Sequence, residues 1–272
     1  MRFLVLLLFA ASLFGGAPGR VVSQTVGTDE LLVALAAPGQ IAALSHLARD
    51  PAFTPDVQAN KPYPCLRTGT AEDVLGFRPD LVLAASYTAP ETLALLRRAK
   101  VNLVVLDRFE TLEDLFDACR RVGAALGRQA RAEELVRAWK ARIADLDRRL
   151  RGVRPVRVLA VGAYPFTAGS GTTFQDMCDH AGALNVAAER GLKGHQPTPA
   201  EQLLTWDVEC LVTDRSENMS ARLRSTPPYK FMAALKKGRI VEIPGPLMSA
   251  TGPARIEAYA WLARALHPER FP

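Results

Sequence analysis

One helical pattern sets the layout of this chain. Residues 128–151 carry Leu135, Trp139, Ile143, Leu146 and Leu150 along one stripe, with charged residues around it. That spacing is the apolar period of a long helix. At 1.5 Å rise per residue the segment makes a rod of roughly 36 Å. It is about as long as a small domain is wide, and much longer than the helical patterns on either side. Gly127 breaks the chain before it, and Gly152 and Pro155 follow it.

On both sides of the rod, short apolar runs alternate with helix patterns. Before it, runs at 20–25, 41–44, 81–84 and 102–106 alternate with helix patterns at 29–36, 71–76, 90–100 and 111–126. Residues 49–64 hold four prolines and little periodicity, so they read as a surface or site-lining loop. After the rod, runs at 156–161, 210–213 and 240–243 alternate with helix patterns at 173–181, 200–204, 229–235 and 252–266. Such alternation predicts parallel sheets covered by helices on both faces. The expected fold is α/β: two Rossmann-like α/β lobes, at 20–126 and 153–272, joined by a single long rigid helix at 127–152.

An internal echo supports two similar lobes. Ala71-Glu72-Asp73-Val74-Leu75 leads to Asp80 and the run Leu81-Val82-Leu83. Ala200-Glu201-Gln202-Leu203-Leu204 leads to Glu209 and the run Cys210-Leu211-Val212. In each, a Glu precedes by eight positions the acid that opens an apolar strand.

The N-terminus gives an address. Arg2, an apolar run at 3–14 and the small-residue stretch 15–19 have the form of a secretory signal peptide over 1–19. The run is shorter than the ~20 residues that span a bilayer. Pro18 disfavours cleavage after Ala17, and Ser23 is the alternative. No cysteine near the end of the run suggests a lipid anchor. The mature chain is expected to be soluble outside the cytoplasmic membrane. Its net charge is +6, but the basic residues are interleaved with Glu133, Glu134, Asp145 and Asp147 on the long helix. That is a solvated face and not a nucleic-acid patch.

An exported chain can oxidise its cysteines. Of Cys65, Cys119, Cys178 and Cys210, the pair Cys178 and Cys210 is the best candidate for a bridge; all four are equally at home as small buried hydrophobes. No C-x-x-C, H-E-x-x-H, G-x-S-x-G or phosphate loop occurs. His46, His180, His195 and His267 show no metal-ligand spacing, so no metal site, cofactor or catalytic group is expected. What remains is a set of residues just beyond predicted strands, where a two-lobed α/β protein opens its crevice. These are Thr25, Thr28, His46, Tyr63, Tyr87, Tyr164, Ser170 in the loop 167–171, His195, Arg215 and Met248. Each taken alone also fits ordinary packing or a plain turn, and the polar groups suit a bulky or planar ligand.

The chain resembles the periplasmic binding proteins that serve iron–siderophore, haem and cobalamin ABC importers. The resemblance rests on Val21-Val22-Ser23 leading to Gly27-Thr28-Asp29-Glu30-Leu31-Leu32, on Thr70-Ala71-Glu72 through Phe77-Arg78-Pro79-Asp80-Leu81-Val82-Leu83, on the long helix, and on Ala181-Gly182-Ala183-Leu184-Asn185-Val186-Ala187. Val208-Glu209 departs from the Pro-Asp usual at that place. The resemblance implies a non-enzymatic carrier, monomeric and periplasmic, that holds its ligand between the lobes. It also implies that Glu72 and Glu201, one on each lobe, dock onto arginines of a membrane permease, a two-point electrostatic contact. A rigid helical joint permits only modest rocking and suits a pre-formed cleft. Haem would want an axial Tyr or His, from Tyr63, His46 or His195; an anionic siderophore would want Arg215; cobalamin would want aromatic and polar contacts. The rival readings are an exported metal or tetrapyrrole chaperone and a sequestering protein without an importer.

Overall fold

A computed structural model describes residues 17–162, 166–197, 200–215 and 219–272. Most of the expected leader, and Tyr164, lie outside the described residues.

The first lobe is a four-stranded parallel sheet of β1 (Val21–Ser23), β2 (Ile41–Ala43), β3 (Leu81–Ala85) and β4 (Asn102–Leu106), in the order β2-β1-β3-β4. The second lobe holds β5 (Val156–Ala160), β6 (Phe166–Ala168), β7 (Ala183–Asn185), β8 (His195–Pro197), β9 (Cys210–Asp214) and β10 (Ile240–Ile243). Its parallel sheet runs β10-β9-β5-β7, and β6 and β8 form a separate antiparallel ribbon. Counted from the first strand of each parallel sheet, both have the same order: second, first, third, fourth. The echoed segments open the third strand of each sheet.

The echoed acids do the same work. Asp80 donates its N–H to the Arg20 carbonyl (2.8 Å) and accepts the Arg20 N–H on its carboxylate (3.0 Å). Glu209 donates to the Arg157 carbonyl (2.8 Å) and accepts the Arg157 N–H (2.9 Å). Each ties the head of the third strand to the head of the first. Val21 pairs with Leu81 and Val158 with Cys210, so each acid bonds the residue directly opposite it in register.

The connecting helix spans Gln129–Leu150 and buries Ala132, Val136, Trp139, Ile143 and Leu146, a stripe at alternating spacings of four and three. It is entered from the helix Leu112–Ala125 through a tight reversal. Gly127, at φ +69°, donates to Ala124 O, and Arg128 donates to Gly123 O; this paired bonding around a left-handed residue is a Schellman cap. Gly123 is needed for the crossing, since a Cβ there would lie 2.5 Å from Ala132 Cβ. One apolar cluster runs from Val21 and Leu31 in the first lobe, through Trp139 and Ile143, to Val158, Met177 and Leu262 in the second. The lobes therefore share a core, which limits their relative motion.

Several expectations are corrected. Cys178 and Cys210 are buried free thiols, not a bridge; Cys119 is likewise free and buried, and Cys65 is free and half-buried. Burial in apolar surroundings pushes the Cys210 thiol up to about 11, which makes it inert. The predicted helix at 229–235 is split by extended Met232 (ψ 136°) into the turn Tyr229–Phe231 and the helix Ala233–Lys236. The loop at 49–64 contains the one-turn helix Val57–Asn60, capped by Asp56. β6, β7, β8 and the helices Met219–Ser225 and Gly245–Met248 have no sequence counterpart above. They are too short to show a period, and the His195-Gln196-Pro197 strand has no apolar alternation.

Candidate functional site

The C-terminal ends of the parallel strands face one another across a cleft between the lobes. Two cavities occupy it. One, of about 470 Å³, lies against the first lobe and is lined by Gln24, Thr25, Glu30, His46, Phe53 and Tyr87 among others. The second, of about 510 Å³, lies against the second lobe and is lined by Tyr87, Phe109, Phe166, Thr172, His195 and Met248 among others. Both are bounded by Tyr87, Ser249 and Thr251, so they meet at one side chain from the first lobe and one segment from the second.

The chain builds this surface from strand ends. Beyond β1, Thr25 caps the helix Val26–Leu35, in a capping box with Thr28. Beyond β2, Ser45 is held by buried Asp29, which accepts from its N–H (2.9 Å) and its hydroxyl (2.5 Å). That grip fixes the turn presenting His46, whose ring packs on Gly69. Beyond β3 comes Tyr87, its ring tilted at 55° to Phe109 with centroids 5.3 Å apart. Phe109 itself follows β4. Gln24 is buried, and its Nε2 has no hydrogen-bond partner among the described residues.

Half-buried Glu30 lines the first of these cavities, and its neighbour Asp29 is buried. Desolvation raises Asp29 to about 6, against the opposing hydrogen bonds from Ser23 and Ser45. Desolvation raises Glu30 to about 7, partly offset by the Ala254 N–H it accepts and reinforced by the charge of Asp29. The Glu30–Ala254 bond is 2.7 Å long and joins the first lobe to the segment before the closing helix Arg255–Leu266. Glycines permit the approach. A Cβ on Gly252 would meet Glu30 Oε2 at 2.9 Å, and one on Gly27 would meet Thr251 Oγ1 at 2.5 Å.

Of the sequence-derived ligand residues, Thr25, His46, Tyr87, His195 and Met248 line the two cavities, His46 in the one against the first lobe and His195 in the one against the second. Others do not. Thr28 is buried, and its hydroxyl is occupied by Ser23 and Thr25. Tyr63 packs half-buried on the core, and its carbonyl accepts from Arg49. Ser170 bonds Leu192 O (3.2 Å), while its neighbours Gly171 and Thr172 line the cavity. The Arg215 guanidinium lies over the Trp261 ring at 5.1 Å and lines neither cavity. Gln24, Glu30, Phe53, Phe109, Phe166 and Thr251 escaped the sequence reading. Phe53 sits in the proline-rich loop, which was the one available signal. No Lys or Arg lines either cavity among the described residues, and no group of three His, Cys, Asp or Glu among them could hold a metal ion.

Glu72 and Glu201 are both exposed, in the first turns of the helices Ala71–Gly76 and Ala200–Leu203. There the helix dipole favours a carboxylate with or without a partner.

Known proteins share this frame. The chain is 27% identical over 233 residues to the molybdate-binding protein MolA of Haemophilus influenzae, a match covering 76% of the chain and 66% of that relative. The chain thus spans just under two thirds of that relative's length. In structure it resembles a periplasmic heme-binding protein of Pseudomonas aeruginosa (27% identity, TM-score 0.77, covering 92% of this chain and 93% of that one). It also resembles the heme-binding protein RhuT of Roseiflexus sp. RS-1 (24% identity, TM-score 0.80, covering 92% and 98%), a likeness of fold. The periplasmic binding protein family model matches residues 21–247, and the chain belongs to that family.

Proposed function

We propose that this chain is the solute-capturing component of an ABC importer, working outside the cytoplasmic membrane, and that its solute is a bulky tetrapyrrole, haem or cobalamin. One observation carries the choice. The two cavities meet at Tyr87 and are bounded by Phe53, Phe109 and Phe166, with no lysine or arginine among the described lining residues. A small oxyanion or an anionic siderophore calls for cationic or multiple N–H donors. A large planar ring system calls for aromatic faces and a few polar groups. The heme-binding neighbour at 27% identity supports the same class. His46, in the first-lobe cavity, or His195, in the second-lobe cavity, would supply an axial donor for a haem iron. The chain binds and releases its solute without chemistry.

The exposed carboxylates of Glu72 and Glu201 dock on arginines of the permease, one from each lobe. Because the lobes share a core, that spacing stays nearly constant between loaded and empty states.

The test is a titration of the mature protein with haem, cyanocobalamin, a ferric siderophore and molybdate, followed by absorbance and thermal shift. Saturable binding of haem or cyanocobalamin supports the reading. Binding of molybdate or the siderophore alone, or of none of the four, ends it. Glu72→Lys with Glu201→Lys is expected to leave binding intact and abolish uptake in cells. Unimpaired uptake would show a sequestering protein or a different docking surface.

A further inference from the structure

Arg255 opens the closing helix and is 2% exposed. Its nearest carboxylate oxygen belongs to Asp176, at 3.7 Å. Its two terminal nitrogens instead donate to backbone carbonyls of the other lobe, Nη1 to Thr111 O (2.6 Å) and Nη2 to Phe109 O (2.5 Å). Nε has no partner. Asp176 completes the grip: it accepts the Leu112 N–H (3.0 Å) on one oxygen and the Tyr259 hydroxyl on the other. A buried guanidinium is a poor source of stability, because its desolvation offsets what its bonds return. It is a good source of geometry, because its donors form a rigid fork. What this fork holds is the short loop 107–111 between β4 and the next helix. That loop carries Phe109, the partner of Tyr87 where the two cavities meet.

We infer that Arg255, backed by Asp176, is a positioning residue for ligand binding: it clamps the loop of the first lobe to the second so that the Tyr87–Phe109 pair is set before the ligand arrives. The inference rests on reading the cleft as the ligand site. Arg255 does not itself line either cavity. It acts through the backbone of Phe109.

The experiment compares Arg255→Lys and Arg255→Met with Leu262→Ala, a fully buried position in the same helix, two turns and roughly 10 Å further along its axis. A lysine reaches one carbonyl and keeps the charge; a methionine reaches none. Amide hydrogen exchange of 107–112 in the ligand-free proteins is expected to quicken about tenfold in Arg255→Lys and further in Arg255→Met, with β9 unchanged. Dissociation of haem or cyanocobalamin, whichever binds the wild type, is expected to quicken in the same order, with roughly tenfold weaker affinity in Arg255→Met. Leu262→Ala is expected to lower the Tm without moving either readout. Unchanged exchange at 107–112 in Arg255→Lys, or a Leu262→Ala loss of affinity matching it at equal Tm, overturns the inference. If neither probe binds the wild type, the cleft reading fails, while the exchange data still decide whether the clamp exists.

Discussion

Glu30 accepts the Ala254 backbone N–H at 2.7 Å across the base of the cleft, and it does so from a desolvated position that raises its carboxyl to about 7. A carboxyl that holds its proton more tightly when folded stabilises the fold below its unfolded pKa and loses that contribution as pH rises through the folded value. Stability is therefore expected to fall between about pH 4.5 and 7, with Asp29, raised to about 6, acting in the same direction. Glu30→Gln keeps an acceptor for Ala254 and removes the titration. Its unfolding free energy should vary less over that range, by an amount on the order of 3 kcal/mol. A Tm profile parallel to that of the wild type would contradict the assignment.

Tyr87 is 58% exposed and belongs to both cavities. Tyr87→Ala removes an aromatic face from the ligand and little from the core. Affinity for haem or cyanocobalamin, whichever the protein is found to bind, should drop roughly tenfold, within the range of an aromatic contact of about 1 kcal/mol plus lost area. Thermal stability of the free protein should stay close to that of the wild type. Calorimetric titration alongside a melting curve reads both.

Trp139 sits at the middle of the apolar cluster that crosses from one lobe to the other. Trp139→Ala is expected to destabilise the protein by about 3–5 kcal/mol. Because that cluster is continuous, thermal unfolding of the wild type should be one cooperative transition. Two resolved transitions in calorimetry would mean that the lobes melt independently.

Gly169 has the backbone of Leu192 pressed against it: a Cβ would lie 2.1 Å from Leu192 O. The strand β6 and the residues Gly171 and Thr172 on the cavity wall depend on that approach. Gly169→Ala must push the two segments apart, at a cost of about 1–3 kcal/mol. Circular dichroism melts should show the loss. A neutral Gly169→Ala would mean that the two segments separate freely.

Much of the frame is legible in local pattern. The strand runs at 102–106 and 240–243 and the helix at 71–76 match the observed Asn102–Leu106, Ile240–Ile243 and Ala71–Gly76, because each is a complete apolar period bounded by turn residues. The long helix is legible for the same reason. Its ends shift by one residue on each side, where Arg128 and Arg151 take cap geometry. The echo of Glu72 to Asp80 in Glu201 to Glu209 marks a real equivalence, since Asp80 and Glu209 tie the same pair of strands in each sheet. β6, β7 and β8 are not legible, because three residues carry no period and the pairing of β6 with β8 is made across two helices and a strand.

The sequence alone determined two parallel α/β halves, the rod between them and the strand ends as the place for a site, since each follows from periods of two and 3.6 read along the chain. Only the tertiary structure decided which strand-end residues meet. His46 comes to one cavity and His195 to the other, Tyr63 packs on the core, Arg215 lies over the Trp261 ring, and Cys178 and Cys210 stay apart as thiols. The bonds that make those choices, such as Arg255 to Phe109 and Glu30 to Ala254, join residues 146 and 224 positions apart. No local period encodes contacts at such separations, because they exist only once the common core has brought the two lobes together.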